Sequence, residues 1–291
     1  MRVKIPSEIR ELLPKRKIDT HKGDYGHVLI IGGSVGMTGA VALSSQAALL
    51  SGSGLVTLGA PRSLNSIIEA KLTEVMTLPL PETAEQTLSE TALPEILDFS
   101  RKVDCVAIGP GLSRNSSAQE LVKKLIANLD KPIVLDADGI NALKGDASIL
   151  RSVKSKIVIT PHSGEMSQLA ALPSDEISRI KEKVAKKFTN EYNVVCVLKG
   201  YRTVVAAPKE KTYVNLTGNP GMASGGTGDV LTGMIASFIG QGIKPFDAAR
   251  LGVFLHGLAG DLAAEEIGEA SLIASNILDK LPKAIQMIVS R

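Results

Sequence analysis

Residues 27–58 read HVLIIGGSVGMTGAVALSSQAALLSGSGLVTL, and this stretch decides the fold. Two β-branched apolar runs, at 27–31 and 54–58, flank an Ala-rich segment at about 38–51. The runs are continuously apolar rather than alternating, which is typical of strands covered on both faces, and the segment between them has the length of a helix. The order predicts a β-α-β unit of a parallel sheet.

The same strand–helix rhythm continues along most of the chain. Further short apolar runs are each followed by Gly, Asp or Pro and then by helical spacing; they lie at 103–108, 132–135 and 157–160. The last third differs, because short turns alone separate the runs at 194–198, 203–207 and 211–215. These runs predict an antiparallel meander at one sheet edge, followed by three long helices. The fold class is therefore α/β, with a mostly parallel central sheet between two helical layers.

Composition excludes several classes of protein. With 291 residues, 44% of them hydrophobic, the chain can bury a large core, and disorder is excluded. The net charge of +3 supplies no field suited to nucleic acid or an anionic membrane. Cys105 and Cys196 lie in apolar runs and read as buried free thiols. Because neither a signal peptide nor a run of about 18 apolar residues occurs, we expect a cytoplasmic protein.

We predict a single domain over residues 1–291. Residues 1–20 read as a helix-like arm that packs on the body or on a neighbouring subunit. The acidic, Pro-bounded segment 79–94 could be a linker, but a surface loop leading into a helix is favoured, because the strand–helix rhythm continues on both sides.

Glycine is concentrated in two places: nine glycines lie in residues 23–59 and eight in 218–242. In the second place, residues 219–229 read NPGMASGGTGD and run directly into an apolar helix. A Gly-rich turn at a helix start points unpaired N–H groups outward at the positive end of the helix dipole. This pattern indicates a phosphate site, against the plainer alternative of a tight loop without a ligand.

Asp229 stands at the end of this loop. An Asp near a helix start often only stabilises the helix dipole. Beside a phosphate, however, its carboxylate would accept the proton of a hydroxyl that attacks a phosphoryl group. Other nucleotide fingerprints are missing, since there is no Gly-x-x-x-x-Gly-Lys-Ser/Thr and residues 32–39 lack the Gly-x-Gly-x-x-Gly spacing. We therefore expect phosphate to bind at the late glycine loop.

A series of motifs carries a specific resemblance over nearly the whole chain. In order they are KGDYGHV (22–28), GMTGA (36–40), IGPGL (108–112), LDADG (135–139), TPHSGE (160–165), LKGYRT (198–203), the glycine loop, and LHGLAGD (255–261). On these residues the chain resembles the ADP/ATP-dependent NAD(P)H-hydrate dehydratases, the carbohydrate-kinase-like partners of NAD(P)HX epimerase. That resemblance implies a ribokinase-like fold.

The resemblance also implies a repair reaction. Members of the family use a nucleotide to remove water from (S)-NAD(P)H hydrate (NAD(P)HX), in which the nicotinamide ring is hydrated, and so regenerate NADH or NADPH. It implies that Asp229 activates the ring hydroxyl while the amides of Gly225, Gly226 and Gly228 hold the transferred phosphoryl group. Phosphorylation would turn hydroxide, a poor leaving group, into phosphate, and the glycine amides would stabilise the charge in transfer.

Binding residues follow from the same resemblance. Ala40, Gly111 and His162 would join Asp229 in binding the hydrate. The donor, ADP or ATP, would bind at a turn between two strands, with Gly228 and the five residues Lys199, Gly200, Tyr201, Arg202 and Thr203. Glu165 would hold Mg²⁺ through water.

Each of these residues also has a plainer interpretation. Ala40 is equally a small residue at a helix start, Gly111 a turn glycine, and residues 199–203 a solvent-facing basic turn. A lone His is usually structural, although polar side chains at strand ends tend to face a crevice. Helix capping accounts for Glu165. Asp136 and Asp138 end a strand and would organise the substrate side or a metal-bound water, but helix capping accounts for either nearly as well. With Asn141, His256 and Asp261, these two Asp residues stay outside the predicted catalytic set.

Two other functions remain open at this stage. A ribokinase-like kinase for a hydroxymethylpyrimidine or hydroxyethylthiazole would share the glycine loop, and Ala40, Gly111 and His162 are the discriminating residues. A nucleotide-binding sensor without chemistry is disfavoured by the intact GGTGD. The residues leave the choice between ADP and ATP open. Since 291 residues leave no room for an epimerase domain, we expect the epimerase to be a separate chain, and relatives suggest a homotetramer.

Overall fold

A computed structural model describes residues 5–289. Its sheet has nine strands: β1 His27–Ile31, β2 Leu55–Pro61, β3 Met76–Leu80, β4 Cys105–Ile108, β5 Ile133–Leu135, β6 Ile157–Ile159, β7 Val195–Leu198, β8 Val204–Ala206 and β9 Tyr213–Val214. Their spatial order is β3-β2-β1-β4-β5-β6-β7-β8-β9. Strands β1 to β7 are parallel, and β8 and β9 add antiparallel at one edge. The predicted parallel sheet and edge meander are confirmed.

Helices cover both faces of the sheet. They are α1 Ser7–Arg10, α2 Thr38–Leu50, α3 Asn65–Glu69, α4 Leu93–Ser100, α5 Ser116–Asn128, α6 Asp138–Asn141, α7 Ser163–Ala170, α8 Ser174–Arg179, α9 Lys181–Tyr192, α10 Thr227–Gly240, α11 Pro245–Ile267 and α12 Ala274–Val289. The three long closing helices are those predicted. Within residues 5–289, none of these helices has the length and apolarity that crossing a membrane requires.

Alternate residues of each central strand enter different cores. In β1, Val28 and Ile30 pack with α2, α10, α11 and α12, whereas Leu29 and Ile31 pack with α4, α5 and α9 on the other face. Both sides of the strand are therefore buried, which explains why its sequence is continuously apolar. Cys105 and Cys196 are buried free thiols, as predicted, and burial raises the pKa of both.

The sequence missed β3, which pairs with β2 and contributes Pro79 at the outer edge of the sheet. An edge strand tolerates a proline because one side of its backbone needs no partner. The rest of the 79–94 segment is a loop leading into α4, as favoured, and it forms an isolated bridge from Thr87 to Ser34 in the loop after β1.

The N-terminal arm differs from the prediction. Residues 1–4 lie outside the described part, and the arm is helical only over Ser7–Arg10. Ile9 is fully buried in the core, and Glu8 forms an ion pair with Arg250 of α11 at 3.1 Å. The arm therefore packs on the body through this short helix.

Candidate active site

The carboxyl ends of the parallel strands and the start of α10 lie at the same end of the sheet, where α/β proteins commonly bind ligands. The loop after β4 approaches the start of α2 closely. Gly111 has φ +60°, and a Cβ there would lie 2.7 Å from the Met37 carbonyl oxygen and 3.2 Å from the Ala40 Cβ. Glycine is thus required at 111 both for its backbone and for space, and the structure brings together the two small residues predicted to contact substrate.

Gly226 precedes α10 in a left-handed conformation, with φ +89°. A Cβ there would lie 2.6 Å from Leu43 of α2, so this glycine is needed for both backbone and packing. The turn is fixed further by Thr227, whose hydroxyl donates to the carbonyl oxygens of Met222 and Ser224, each at 3.0 Å. No side chain caps the helix start. Its first amides are therefore available to an anion.

Gly228 lies in the first turn of α10 without a left-handed φ, so its backbone conformation does not require glycine. Its small size matters instead: a Cβ at Gly228 would lie 3.2 Å from Nζ of Lys199 and 3.8 Å from Oδ2 of Asp136. Glycine here lets a cation reach the underside of the helix start.

Asp229 is the third residue of α10 and is partly buried. Burial first, and then the charge of Asp136, raise the pKa of its carboxyl to about 7. Its carbonyl oxygen accepts a hydrogen bond from Ser44 Oγ at 2.8 Å, and Ser44 lies one turn after Ala40 in α2. A carboxyl with a pKa near neutral pH is matched to taking a proton from a hydroxyl, so the structure supports a general base here.

A buried ion pair lies beneath the helix start. Lys199 Nζ donates to Asp136 Oδ1 at 2.7 Å, and Thr232 of α10 donates to Asp136 Oδ2 at 2.7 Å. Asp136 is 1% exposed, and burial favours its neutral form, but the charge and hydrogen bond of Lys199 outweigh burial and lower its pKa. Burial likewise opposes the charge of Lys199, and Asp136 and Glu165 outweigh it, so the pKa of Lys199 is raised.

His162 and Glu165 form a reciprocal cap at the start of α7. His162 Nδ1 accepts from the backbone N–H of Gly164 at 3.0 Å, and Glu165 Oε2 accepts from the backbone N–H of His162 at 2.8 Å. Burial raises the pKa of Glu165 to about 7 and lowers that of His162. The capping interpretation of Glu165 is therefore confirmed. The His162 side chain remains 60% exposed at the carboxyl end of β6.

The five residues of the predicted donor turn divide between two environments. The turn joins β7 to β8, as predicted. Lys199 points inward to Asp136, whereas Tyr201 is 87% exposed and has Arg202 packed over its ring at 5.5 Å. Outside the turn, Lys181 of α9 holds the Tyr201 carbonyl oxygen at 2.9 Å. Thus Lys199 alone of the five lies against Gly228.

Asp136 and Thr232 are the residues of this site that sequence reasoning left out. The position of Asp136 directly after a buried strand could have indicated it, because ligands of α/β proteins bind at the carboxyl ends of the strands. Thr232 had a weaker signal, a polar residue one turn after Asp229 in an otherwise apolar helix. Asp138 has a local role, since its Oδ2 accepts the N–H of Ser113 at 2.9 Å. Across residues 5–289 there is no group of three or more His, Cys, Asp or Glu side chains that could hold a metal ion.

Comparison with known proteins identifies the family of the chain. A family model described as NAD(P)H-hydrate dehydratase matches residues 28–283. The bifunctional NAD(P)H-hydrate repair enzyme Nnr of Moorella thermoacetica is 47% identical over 277 residues, which is 95% of this chain and 52% of that protein. The chain therefore spans about half the length of the curated relatives it matches.

Solved structures show the same fold. A Bacillus subtilis ADP/ATP-dependent NAD(P)H-hydrate dehydratase, co-crystallized with ATP and Mg²⁺, superposes with a TM-score of 0.85 at 31% identity, covering 99% of each chain. A hydroxyethylthiazole kinase from Pyrococcus horikoshii superposes with a TM-score of 0.62 at 17% identity, covering 96% of this chain and 94% of that one. The second likeness concerns the fold alone.

Proposed function

The chain belongs to the NAD(P)H-hydrate dehydratase family, and we propose that it dehydrates (S)-NAD(P)H hydrate to NADH or NADPH at the expense of ADP or ATP. The observation that carries this proposal is the start of α10. There a carboxyl with a pKa of about 7, Asp229, stands beside uncapped amides, and Ala40 of α2 meets Gly111 of the loop after β4 at the same end of the sheet.

The proposed reaction has two steps, phosphoryl transfer to the ring hydroxyl and elimination of phosphate. Asp229 removes the proton of the ring hydroxyl while that oxygen attacks the terminal phosphorus of the donor. The bond from phosphorus to the donor's bridging oxygen breaks, and the amides of Gly225, Gly226 and Gly228 stabilise the charge on the phosphoryl oxygens. The C–O bond of the phosphorylated ring then breaks, a ring proton is lost, and phosphate leaves as the dihydronicotinamide double bond forms.

Substrate and donor would meet at Asp229. We assign the hydrate to Ala40, Gly111 and His162, since Gly111 and Ala40 are already in contact and His162 is accessible. The donor would occupy the side of the turn 199–203 and Gly228. Tyr201 is the exposed ring of that turn and would offer the adenine a stacking surface.

Mg²⁺ fits this site as a companion of the donor. Such an ion keeps several waters and is commonly held by phosphates and one or two carboxylates. That mode needs no cluster of three protein ligands, and the described residues contain none. We propose that Glu165 holds the ion through water. When bound, Mg²⁺ would neutralise charge on the donor phosphates.

Further parts of the proposal concern the protein's associations. The relative from Moorella thermoacetica is named a bifunctional repair enzyme, which supports coupling of this reaction to an NAD(P)HX epimerase. A homotetramer remains a prediction from the family resemblance, and a cytoplasmic location remains a prediction from the sequence. We expect small molecules alone as ligands, and neither nucleic acid nor a membrane.

The direct assay incubates the purified protein with NADHX or NADPHX, Mg²⁺ and either ADP or ATP. Recovery of the near-ultraviolet absorbance of the dihydronicotinamide is expected with at least one donor, and Asp229→Asn should abolish it. No recovery with either donor, together with phosphorylation of a thiazole or pyrimidine alcohol, would instead establish the small-molecule kinase.

A further inference from the structure

We propose that Asp136 is a positioning residue of this site: it holds the Lys199 ammonium against Gly228, where Lys199 binds the transferred phosphoryl group, and it ties that cation to the helix that carries Asp229. The proposal rests on the function proposed above. It assigns a role to Asp136, which the sequence reasoning left outside the site, and it moves Lys199 from the donor turn to the reacting phosphorus.

Asp136 is the junction of three elements. It follows β5 directly, its Oδ1 accepts from Lys199 at the end of β7, and its Oδ2 accepts from Thr232 within α10. Strand β6 lies between β5 and β7, so the Asp136–Lys199 pair reaches across a neighbouring strand of the sheet. Both carboxylate oxygens are engaged at 2.7 Å, and the side chain is 2% exposed. Such a carboxylate is fixed in place and is not itself free to take a proton from substrate.

Lys199 has unused donors that point to a ligand. An ammonium carries three N–H bonds. Among the described residues, Asp136 is its one hydrogen-bond acceptor. The nitrogen lies 3.2 Å from the position of a Cβ on Gly228, beside the uncapped amides of α10. A phosphoryl group on those amides would therefore meet a cation whose charge is otherwise balanced by Asp136 alone.

Lys199 offsets the negative charges that surround Asp229. Asp136 and Asp138, after β5, both raise the pKa of Asp229, and Lys199, after β7, lowers it. His256 of α11 faces the same helix start, where burial lowers its pKa to about 4 and keeps it neutral. Glu165 of α7 acts on Lys199. Asp138 is itself paired with Arg114 at 3.8 Å, so Lys199 is the cation that acts directly on Asp229 and offsets Asp136 there.

The first test is donor affinity, measured by calorimetry with ADP and with ATP in the presence of Mg²⁺. Lys199→Met should weaken binding about tenfold or more, because a charge-assisted contact to phosphate is lost. Lys181→Met is the matched control, since that lysine touches the outer side of the same turn through the Tyr201 carbonyl oxygen, and its affinity should stay within about threefold. Equal affinities for wild type and Lys199→Met would overturn the contact.

The second test separates positioning from binding. Asp136→Asn should lower kcat about tenfold or more while donor affinity stays within about threefold, because the cation remains but is no longer anchored. Asp138→Asn, in the same loop, should keep kcat within about threefold. Thr232→Val removes the hydrogen bond to Asp136 without changing the charge and should also lower kcat. Thr232→Ser keeps a hydroxyl at this position and should restore kcat. Wild-type kcat in both Asp136→Asn and Thr232→Val would refute the positioning role.

A third readout is the ionisation of Asp229, followed by carboxyl carbon NMR. Asp136→Asn removes a negative neighbour and should lower the pKa of Asp229, whereas Lys199→Met should raise it; the acid limb of kcat should move in the same directions. The NMR titrations are made in a Glu165→Gln background, which removes the other carboxyl that titrates near pH 7. Shifts of the same sign in the two variants would contradict the arrangement. NMR and calorimetry need no hydrate, so failure of the proposed reaction would show separately, as absent turnover in the wild type.

Discussion

The proposed role of Asp229 as a base has a cost in stability. Its carboxyl has a pKa of about 7 in the folded protein, against about 3.9 in an unfolded chain. The folded state therefore holds this proton more tightly. The resulting contribution to stability is fully present below about pH 4 and is lost as pH rises through about 7. At neutral pH and above, the ionised base is retained at the expense of the free energy of unfolding.

Asp229→Asn should consequently make the protein inactive but more stable at high pH. We expect the free energy of unfolding to match wild type at about pH 4 and to exceed it by about 1–3 kcal/mol at about pH 8, a range reduced because the side chain is partly exposed. Denaturant unfolding of both proteins at the two pH values measures this difference. A variant less stable than wild type at the higher pH would contradict a buried Asp229 carboxyl with a raised pKa.

At the scale of elements, the site depends on how closely α10 approaches α2. A Cβ on Gly233 would overlap the carbonyl oxygen of Ser44, the residue whose hydroxyl also holds the Asp229 carbonyl oxygen. Any larger residue at 233 must push the two helices apart. The position of the helix start is thus set by a contact nearly two turns inside the helix.

Gly233→Ala should lower the free energy of unfolding by about 2 kcal/mol or more and should also lower kcat, because the start of α10 moves relative to α2. Gly39→Ala in α2 is the matched control for stability, since a Cβ there meets nothing within 4 Å and the change should stay within about 1 kcal/mol of wild type. Chemical denaturation and steady-state kinetics measure the two effects. Equal stability of the two variants would refute the close helix contact.

Individual site elements were predictable where the signal is local. The glycine loop, the helix after it and the β7–β8 turn are each contained in a short stretch of sequence, and each lies where its pattern predicted. The Asp136–Lys199 pair was not, because it joins residues 63 positions apart and depends on which strands are neighbours. The space that Gly228 leaves was unpredictable for the same reason, since the group it accommodates comes from the distant Lys199.

For the whole molecule, the sequence predicted the layers better than the edges. Central strands such as β1 are buried on both faces, so their continuous apolarity is unambiguous. At the edge, β3 is only partly buried and contains Pro79, and the N-terminal arm has a single short helix. Edge elements carry weak patterns because one side of each faces solvent.

In the proposed reaction, the hydroxyl on the nicotinamide ring is phosphorylated and leaves as phosphate. An isotope experiment tests this most directly. The hydrate is prepared with ¹⁸O in its ring hydroxyl and is turned over with unlabelled donor and Mg²⁺, and the released phosphate is analysed by mass spectrometry. We expect one ¹⁸O atom in each phosphate formed. Label appearing in water, with unlabelled phosphate, would contradict phosphorylation of the ring hydroxyl and with it the role of Asp229.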